Sequence, residues 1–268
     1  MEAGLLSPFG YHFNMRPTVL HHLLLCSLCL AFYCLCHADE FLKSGSHEWK
    51  KLIMVHHWPT TVCKEIENEC THPPDYWTIH GLWPDKAEDC NGSWPFNLTE
   101  IEDLLPVMRK FWPDLIHPNR SRFWKHEWDK HGTCAAQLDS LNSEKKYFGT
   151  SLDLYKELDL NSMLQKLGIK PSLNYYQISD IKDALAGIYG VIPKIQCLPP
   201  KQDEKVQMLG QIELCLTKEL ELRNCTEPGE LHLPRQEASG AGVAAFSSML
   251  SVCEDGPAFY PPPDETKR

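Results

Sequence analysis

Short apolar stretches alternate with polar turns along the chain from about residue 50 onwards. The run KKLIMVHHW (50–58) has β character, and DYWTIHGLWP (75–84) alternates polar and apolar positions, as a strand does. The segment 211–225 predicts a strand that leads into a hairpin held by its two cysteines.

The segment 97–112 predicts a helix with a defined start. Asn97 is a suitable N-cap, Glu100 follows three positions later, and the apolar residues after them share one face. Pro106 lies in the middle of this pattern, so we expect it to kink or split the helix.

Three further segments, 121–132, 160–168 and 179–190, predict helices that end at a glycine. The region 227–250 is rich in turn residues and predicts an exposed loop, and the final PPPDETKR predicts an extended or disordered tail. Helices interleaved unevenly with short strands are typical of the α+β class.

The N-terminus predicts a signal peptide. Arg16 precedes an uninterrupted apolar stretch, 23–36, which is shorter than the ~20 residues of a membrane span and fits a signal-peptide core. We expect cleavage after Ala38; a signal anchor is the alternative. Met15 is a second candidate start, which would make 1–14 an upstream extension. Residues 39–268 then form one domain with a loose C-terminal tail.

Eight cysteines remain after that cleavage, and an even number behind a signal peptide indicates four disulfides. They are Cys63, Cys70, Cys90, Cys134, Cys197, Cys215, Cys225 and Cys253. A zinc site is the alternative, but no CxxC pair exists among them. Four N-x-S/T sites agree with secretion: Asn91, Asn97, Asn119 and Asn224.

The net charge of −10 is unusual for a protein that binds nucleic acid by bulk electrostatics. Nine of the 13 histidines lie beyond residue 38, however. Most histidines with an ordinary pKa are charged near pH 5, and nine added charges would bring the balance close to neutral. An acidic compartment would therefore make the protein more tolerant of a polyanion.

Candidate chemistry is concentrated in FWKHEWDKHGTC (123–134). On a helix, Glu127 and His131 share one face, and His126 and Lys130 form a second i, i+4 pair about 100° away. The zinc motif H-E-x-x-H is excluded because its second histidine position holds Lys130. A structural ion pair on an amphipathic helix remains the alternative to catalysis.

A second candidate, His80, lies among the tryptophans of WTIHGLWP (77–84). A single histidine in apolar surroundings is more often a hydrogen-bonded core residue than a catalyst. A disulfide between Cys90 and Cys134 would bring His80 close to His131, however.

Two facing histidines can serve as a base and an acid, each with a pKa near working pH. RNA carries its own nucleophile, the 2′-hydroxyl, so no serine or cysteine nucleophile is needed. Lys130 and a protonated His126 can stabilise charge that develops on the phosphate, and no metal is required.

The segments WTIHGLWP and FWKHEWDKHGTC together closely resemble the two active-site segments of the ribonuclease T2 family. The similarity runs from about residue 47 to 263. It implies an α+β fold with a central antiparallel sheet flanked by helices.

The resemblance also implies a role for each ionisable residue. His131 corresponds to the general base for the 2′-hydroxyl, and His80 to the general acid for the leaving 5′-oxygen. Glu127 and Lys130 match the pair that stabilises the phosphorane, and His126 matches a phosphate-binding histidine. The expected product is a 2′,3′-cyclic phosphate, which can be hydrolysed slowly afterwards.

The disulfides implied by the family pattern are Cys63–Cys70, Cys90–Cys134, Cys197–Cys253 and Cys215–Cys225. Trp58 and Trp83 are candidates for stacking on a base, with a core position as the alternative for both. His56 occupies a position where many family members have a glutamine that contacts a base, which leaves base preference open.

The sequence thus predicts a metal-independent acid endoribonuclease with no cofactor. Single-stranded RNA is the expected partner; DNA and stable membrane insertion are not expected, and we expect a monomer. The expected location is extracellular or lysosomal, with the endoplasmic reticulum lumen in transit. The alternative is a secreted binding protein that uses the same scaffold without cleaving RNA.

Overall fold

The computed structural model describes residues 48–66, 70, 72–201, 205–226 and 249–263. The predicted signal peptide, most of the predicted 227–250 loop and the last five residues lie outside the described residues. Across the described ranges, no helix is long and apolar enough to span a membrane.

Eight strands form one sheet in this part of the chain. They are β1 (Leu52–His57), β2 (Thr78–Pro84), β3 (Tyr175–Gln177), β4 (Lys194–Leu198), β5 (Gln207–Leu216), β6 (Leu222–Arg223), β7 (Ser251–Val252) and β8 (Pro257–Phe259). The order is β2-β1-β5-β4-β7; β6 also pairs with β5, and β8 pairs with both β3 and β5.

The sheet is mixed, so the expectation of a purely antiparallel sheet is wrong in one pair. The chain turns at Gly256, whose φ is +129°, and enters β8, which runs parallel to the start of β5. Every other pair is antiparallel. All residues of β1 and β2 are buried, and β1 lies between β2 and β5 in the sheet.

The helical elements, in chain order, surround this sheet. They are α1 (Pro59–Glu65), a 3₁₀-helix (Leu98–Leu104), α2 (Leu105–Phe111), α3 (Arg122–Glu127), a π-helical turn (Trp128–Gly132), α4 (Thr133–Ala135), α5 (Glu144–Leu158), α6 (Leu160–Lys166) and α7 (Ile178–Tyr189).

The predicted start and interruption of the 97–112 helix are confirmed. The Asn97 side chain accepts a hydrogen bond from the Thr99 backbone N–H, and the helix divides at Leu105, one residue before Pro106. The predicted helices α6 and α7 are also present, and α7 ends at Gly190 with φ +72°.

The predicted end of the site helix at Gly132 is wrong. Gly132 has a helical φ of −60°, and the helix continues through the π turn into α4. A Cβ at position 132 would lie 2.3 Å from the Trp128 ring, so close packing, and not chain reversal, requires the glycine.

All four disulfides implied by the family pattern are present: Cys63–Cys70, Cys90–Cys134, Cys197–Cys253 and Cys215–Cys225. The bond from Cys90 to Cys134 joins the segment after β2 to α4. It therefore fixes the two predicted histidine segments side by side.

Candidate active site

Strand β2 holds His80 in a buried and fixed position. Its side chain is only 1% exposed, and the Trp112 Nε1–H donates a 2.7 Å hydrogen bond to the His80 carbonyl oxygen. The strand is hydrogen-bonded to β1 along its length. The imidazole thus leaves a rigid backbone, which suits a group that must transfer a proton accurately.

Two further side chains on β5 orient the His80 ring. The Gln211 Oε1 lies 3.0 Å from His80 Nδ1, and the Gln211 Nε2 donates a 3.1 Å hydrogen bond to the buried Glu213 carboxylate. Because the amide nitrogen is directed at Glu213, the amide oxygen faces the imidazole. His80 Nδ1 must then carry the hydrogen, which leaves Nε2 to exchange a proton.

One indole, that of Trp83, contacts three of the predicted site residues. Its Nε1–H donates a 2.8 Å hydrogen bond to Glu127 Oε2. The His131 ring stacks on it with the centroids 4.9 Å apart, and the His80 ring meets it edge-on at 4.9 Å. The sequence-predicted base, acid and carboxylate are therefore brought together around Trp83.

Gly81 makes this arrangement possible. A Cβ at position 81 would lie 2.0 Å from Trp83 Nε1 and 2.1 Å from Glu127 Oε2. Any side chain there would displace the indole or the carboxylate, so the glycine is required by close approach.

The π-helical turn carries Lys130 and His131, both of which are buried. The Lys130 ammonium lies 3.7 Å from the Glu88 carboxylate. A π turn widens the helix locally, and such turns are frequent at functional sites. The i, i+4 spacing predicted for an ideal α-helix therefore applies only approximately to Glu127 and His131, although both reach Trp83.

Burial and nearby positive charge both favour the neutral forms of His80 and His126. Burial lowers the pKa of His80 to about 3; the Gln211 hydrogen bond opposes this shift, and the positive charges of His126 and Lys130 add to it. The pKa of His126 is also lowered, first by burial and then by Lys130, against the opposing effect of Asp89 and Asp129. A bound phosphate would neutralise this repulsion and raise both pKa values.

Strand β1 adds a histidine that the sequence analysis did not select. The His57 ring lies 5.1 Å from the His80 ring, and no described residue hydrogen-bonds to either of its nitrogens. His56 lies instead against Tyr155, with the ring centroids 5.8 Å apart. The sequence feature that could have identified His57 is the alternation of side chains along β1, which places the two neighbouring histidines on opposite faces of the strand.

The two tryptophans proposed for base stacking occupy different places. Trp58 is 1% exposed; it packs against Trp77 and Tyr260, and its Nε1–H donates to the Pro261 carbonyl. The structure therefore favours the core alternative for Trp58. Trp83 is also buried, but it lies within the site.

The four predicted glycosylation positions, Asn91, Asn97, Asn119 and Asn224, are all exposed. Asn224 is partly engaged, because its side-chain oxygen accepts a hydrogen bond from the Ile192 backbone. In the described part of the chain, no three His, Cys, Asp or Glu side chains are grouped as metal ligands.

Comparison with known proteins places this geometry in context. A sequence model of the ribonuclease T2 family matches residues 49–225. The chain is 70% identical to human ribonuclease T2, over 94% of this chain and 100% of the human protein. It is 49% identical to zebrafish ribonuclease T2, over 80% of this chain and 88% of the relative. The crystal structure of human ribonuclease T2 superposes with a TM-score of 0.69 at 67% identity, over 81% of this chain and 100% of that chain.

Proposed function

Because the chain belongs to the ribonuclease T2 family, we propose that it is an endoribonuclease that cleaves single-stranded RNA at acidic pH without a metal ion. The observation that supports this most strongly is the contact of His80 and His131 with the same indole, Trp83. Two imidazoles in one buried site can take up and release a proton in a single reaction.

In the proposed reaction, neutral His131 accepts the proton of the 2′-hydroxyl while the 2′-oxygen bonds to phosphorus. Protonated His80 gives its Nε2 proton to the 5′-oxygen as the P–O5′ bond breaks. The products are a 2′,3′-cyclic phosphate and a 5′-hydroxyl. His80 keeps the Nδ1 proton that faces Gln211, so each ring ends the step in the opposite protonation state.

Three ionisable side chains complete the proposed site. Lys130 and His126 offer N–H donors to the phosphate oxygens, and a donor aimed at developing charge is worth the most in a dry site. The Trp83 Nε1–H donates to Glu127 Oε2 and so fixes the orientation of this carboxyl group beside the two histidines.

The proposed mechanism gives the pH dependence a direction. His80 must be protonated, and burial has lowered its pKa to about 3 in the free protein. Cleavage therefore increases as pH falls from neutrality, and a bound phosphate supports the charged form. Because the mechanism needs one imidazole neutral and the other charged, we expect a bell-shaped profile.

The proposal extends to the biology of the whole chain. The four disulfides support an oxidising route through the endoplasmic reticulum lumen to the exterior or the lysosome. We assign 1–38 to a signal peptide and 39–268 to a single catalytic domain that works as a monomer. DNA lacks the 2′-hydroxyl nucleophile and is not a substrate.

The first test uses the secreted protein and its His131→Phe variant on a short RNA with a single uridine, at about pH 5 in EDTA. Mass spectrometry of the products should show 2′,3′-cyclic phosphate ends with the wild type and intact RNA with the variant. The exposed His117→Phe is the matched control and should cleave like the wild type.

Two outcomes would contradict the proposal. Loss of wild-type cleavage in EDTA would contradict the metal-independent mechanism. Intact RNA with folded wild-type protein would leave the binding protein on the same scaffold as the better account.

A further inference from the structure

A basic cavity is lined in part by α3, the helix that also carries His126 and Glu127. It has a volume of about 430 Å³ and lies between α2, α3 and the loop that precedes α3. Its lining includes four cationic side chains: Arg109, Arg120, Arg122 and Lys125. We call it the arginine cavity. None of these four residues belongs to the proposed catalytic set.

The charge of the arginine cavity is poorly compensated. Lys125 forms an ion pair with Asp129. Among the residues that the structure describes, by contrast, no acidic side chain forms an ion pair with Arg109, Arg120 or Arg122. Three exposed guanidinium groups without carboxylate partners are unexpected in a chain of net charge −10. Such a concentration of one sign of charge around a concave surface favours an anionic ligand.

The arginine cavity and the active site share α3. Arg122 and His126 are four residues apart on this helix, so they lie on one face about 6 Å apart along its axis. That is close to the length of one or two nucleotides, at about 3.4 Å per nucleotide of a stacked strand.

Two hydrogen bonds also link the wall of the arginine cavity to the backbone of His80, the proposed general acid. The Trp124 Nε1–H donates to the Trp112 carbonyl at 2.7 Å, and the Trp112 Nε1–H donates to the His80 carbonyl at 2.7 Å. The arginine cavity is thus fixed relative to the site, as a substrate-positioning surface must be.

We propose that the arginine cavity binds backbone phosphates of the RNA strand outside the scissile phosphate, and so holds long RNA in the active site. This inference rests on the proposed endoribonuclease function. Guanidinium groups suit phosphate oxygens because their fork of donors matches that geometry, and phosphate contacts carry no base preference. A dinucleoside monophosphate has no phosphate besides the scissile one, so its cleavage should not depend on the cavity.

The test compares the full-length secreted protein with the triple variant Arg109→Gln, Arg120→Gln, Arg122→Gln. KM is measured at pH 5 for a 20-nucleotide single-stranded RNA and for a dinucleoside monophosphate, across a range of NaCl concentrations. The control, Lys166→Gln, Lys170→Gln, Lys182→Gln, removes three other exposed cations, near α6 and α7. All proteins retain Asn119, so any glycan beside the cavity is common to them.

We expect KM of the triple variant for the 20-mer to rise roughly tenfold at low salt. The slope of log KM against log salt should fall by about 2, since each single-strand phosphate contact contributes about 0.7. The single variant Arg120→Gln should lower the slope by about 0.7. Kinetics on the dinucleoside monophosphate and those of the lysine control should match the wild type.

Unchanged salt slopes in both arginine variants, with normal dinucleoside cleavage, would overturn the inference and leave the proposed function intact. They would point instead to a ligand other than RNA, such as an acidic protein. Failure of the wild type to cleave either substrate would count against the proposed function itself. The two failures are therefore distinguishable.

Discussion

At the scale of single residues, the protonation of His80 depends on side chains that lie two strands away. Gln211 and Glu213 are on β5, whereas His80 is on β2, with β1 between them. His80 was selected from the sequence by its possible disulfide link to His131 and by the family resemblance. Gln211 was not selected, because only the strand register brings residues 80 and 211 together. Gln211 acts through His80 and is a positioning residue.

Replacing Gln211 by leucine tests this role. The substitution removes the acceptor for Nδ1–H, and we expect kcat to fall roughly 10- to 100-fold, the range found for partners that orient metal-bound histidines. The lost hydrogen bond raised the pKa of His80, so its loss lowers that pKa and shifts the alkaline limb of the kcat profile to lower pH. A pH–rate series measures both effects.

The matched control is Gln207→Leu, on the same strand. Gln207 is also buried, but it bonds to the Glu254 backbone and not to a site residue. We expect the Gln207→Leu variant to lose stability without a shift in the pH profile of kcat. If both variants shifted the profile equally, the positioning role of Gln211 would be refuted.

At the scale of elements, sequence patterns predicted the segments with strong local signals. β1, β2, the split helix at Pro106 and both glycine-ended helices are confirmed. The helix α5 was not predicted, because Gly149 and neighbouring Thr150 and Ser151 interrupt its apolar pattern. The π turn was also missed, since residues 128–132 satisfy an α-helical pattern and only the packing of Gly132 on Trp128 sets it apart.

The disulfide that joins the two site segments should affect both stability and activity. Cys90 and Cys134 are separated by 44 residues, for which chain entropy gives a stabilisation of about 4 kcal/mol. The double variant Cys90→Ala, Cys134→Ala should lose about that much in urea unfolding. Its kcat should also fall by about tenfold or more, because the π turn is no longer tied to the segment after β2.

The hairpin disulfide offers a control for that measurement. Cys215 and Cys225 are 10 residues apart, so their double alanine variant should lose about 3 kcal/mol. Its kcat should be near the wild-type value under conditions where it is folded. Equal losses of kcat in the two variants would mean that the 90–134 bond has no particular link to the site.

At the scale of the whole molecule, three buried histidines lie at the centre of the fold. His56, His57 and His80 are each no more than 1% exposed, and burial lowers the pKa of all three. A protein proposed to act in acid therefore holds neutral imidazoles that acid tends to charge. Activity and stability should respond to falling pH in opposite directions.

His56 provides the cleanest measurement because it is outside the proposed catalytic set. Its pKa is about 4 in the folded protein against 6.5 for an ordinary histidine, with burial as the largest cause. Below pH 6.5 the unfolded chain binds a proton that the folded one does not, so stability falls with pH until about pH 4. At pH 5 this loss is about 2 kcal/mol.

Urea unfolding of His56→Asn at pH 7 and pH 5 tests the effect. The variant should show a drop in unfolding free energy that is about 2 kcal/mol smaller than that of the wild type. The exposed His117→Asn should retain the full drop. A His56→Asn variant with the wild-type drop would show that another group governs the acid sensitivity.

The close approach at Gly81 bears on how this scaffold can change its role during evolution. A single methyl group there would meet both Trp83 Nε1 and Glu127 Oε2, while every ionisable residue of the site would remain in the sequence. One substitution could thus separate a ribonuclease from a pseudoenzyme that keeps the RNA-binding surface. Whether a family member can cleave RNA should be judged by the presence of this glycine as well as by its histidines.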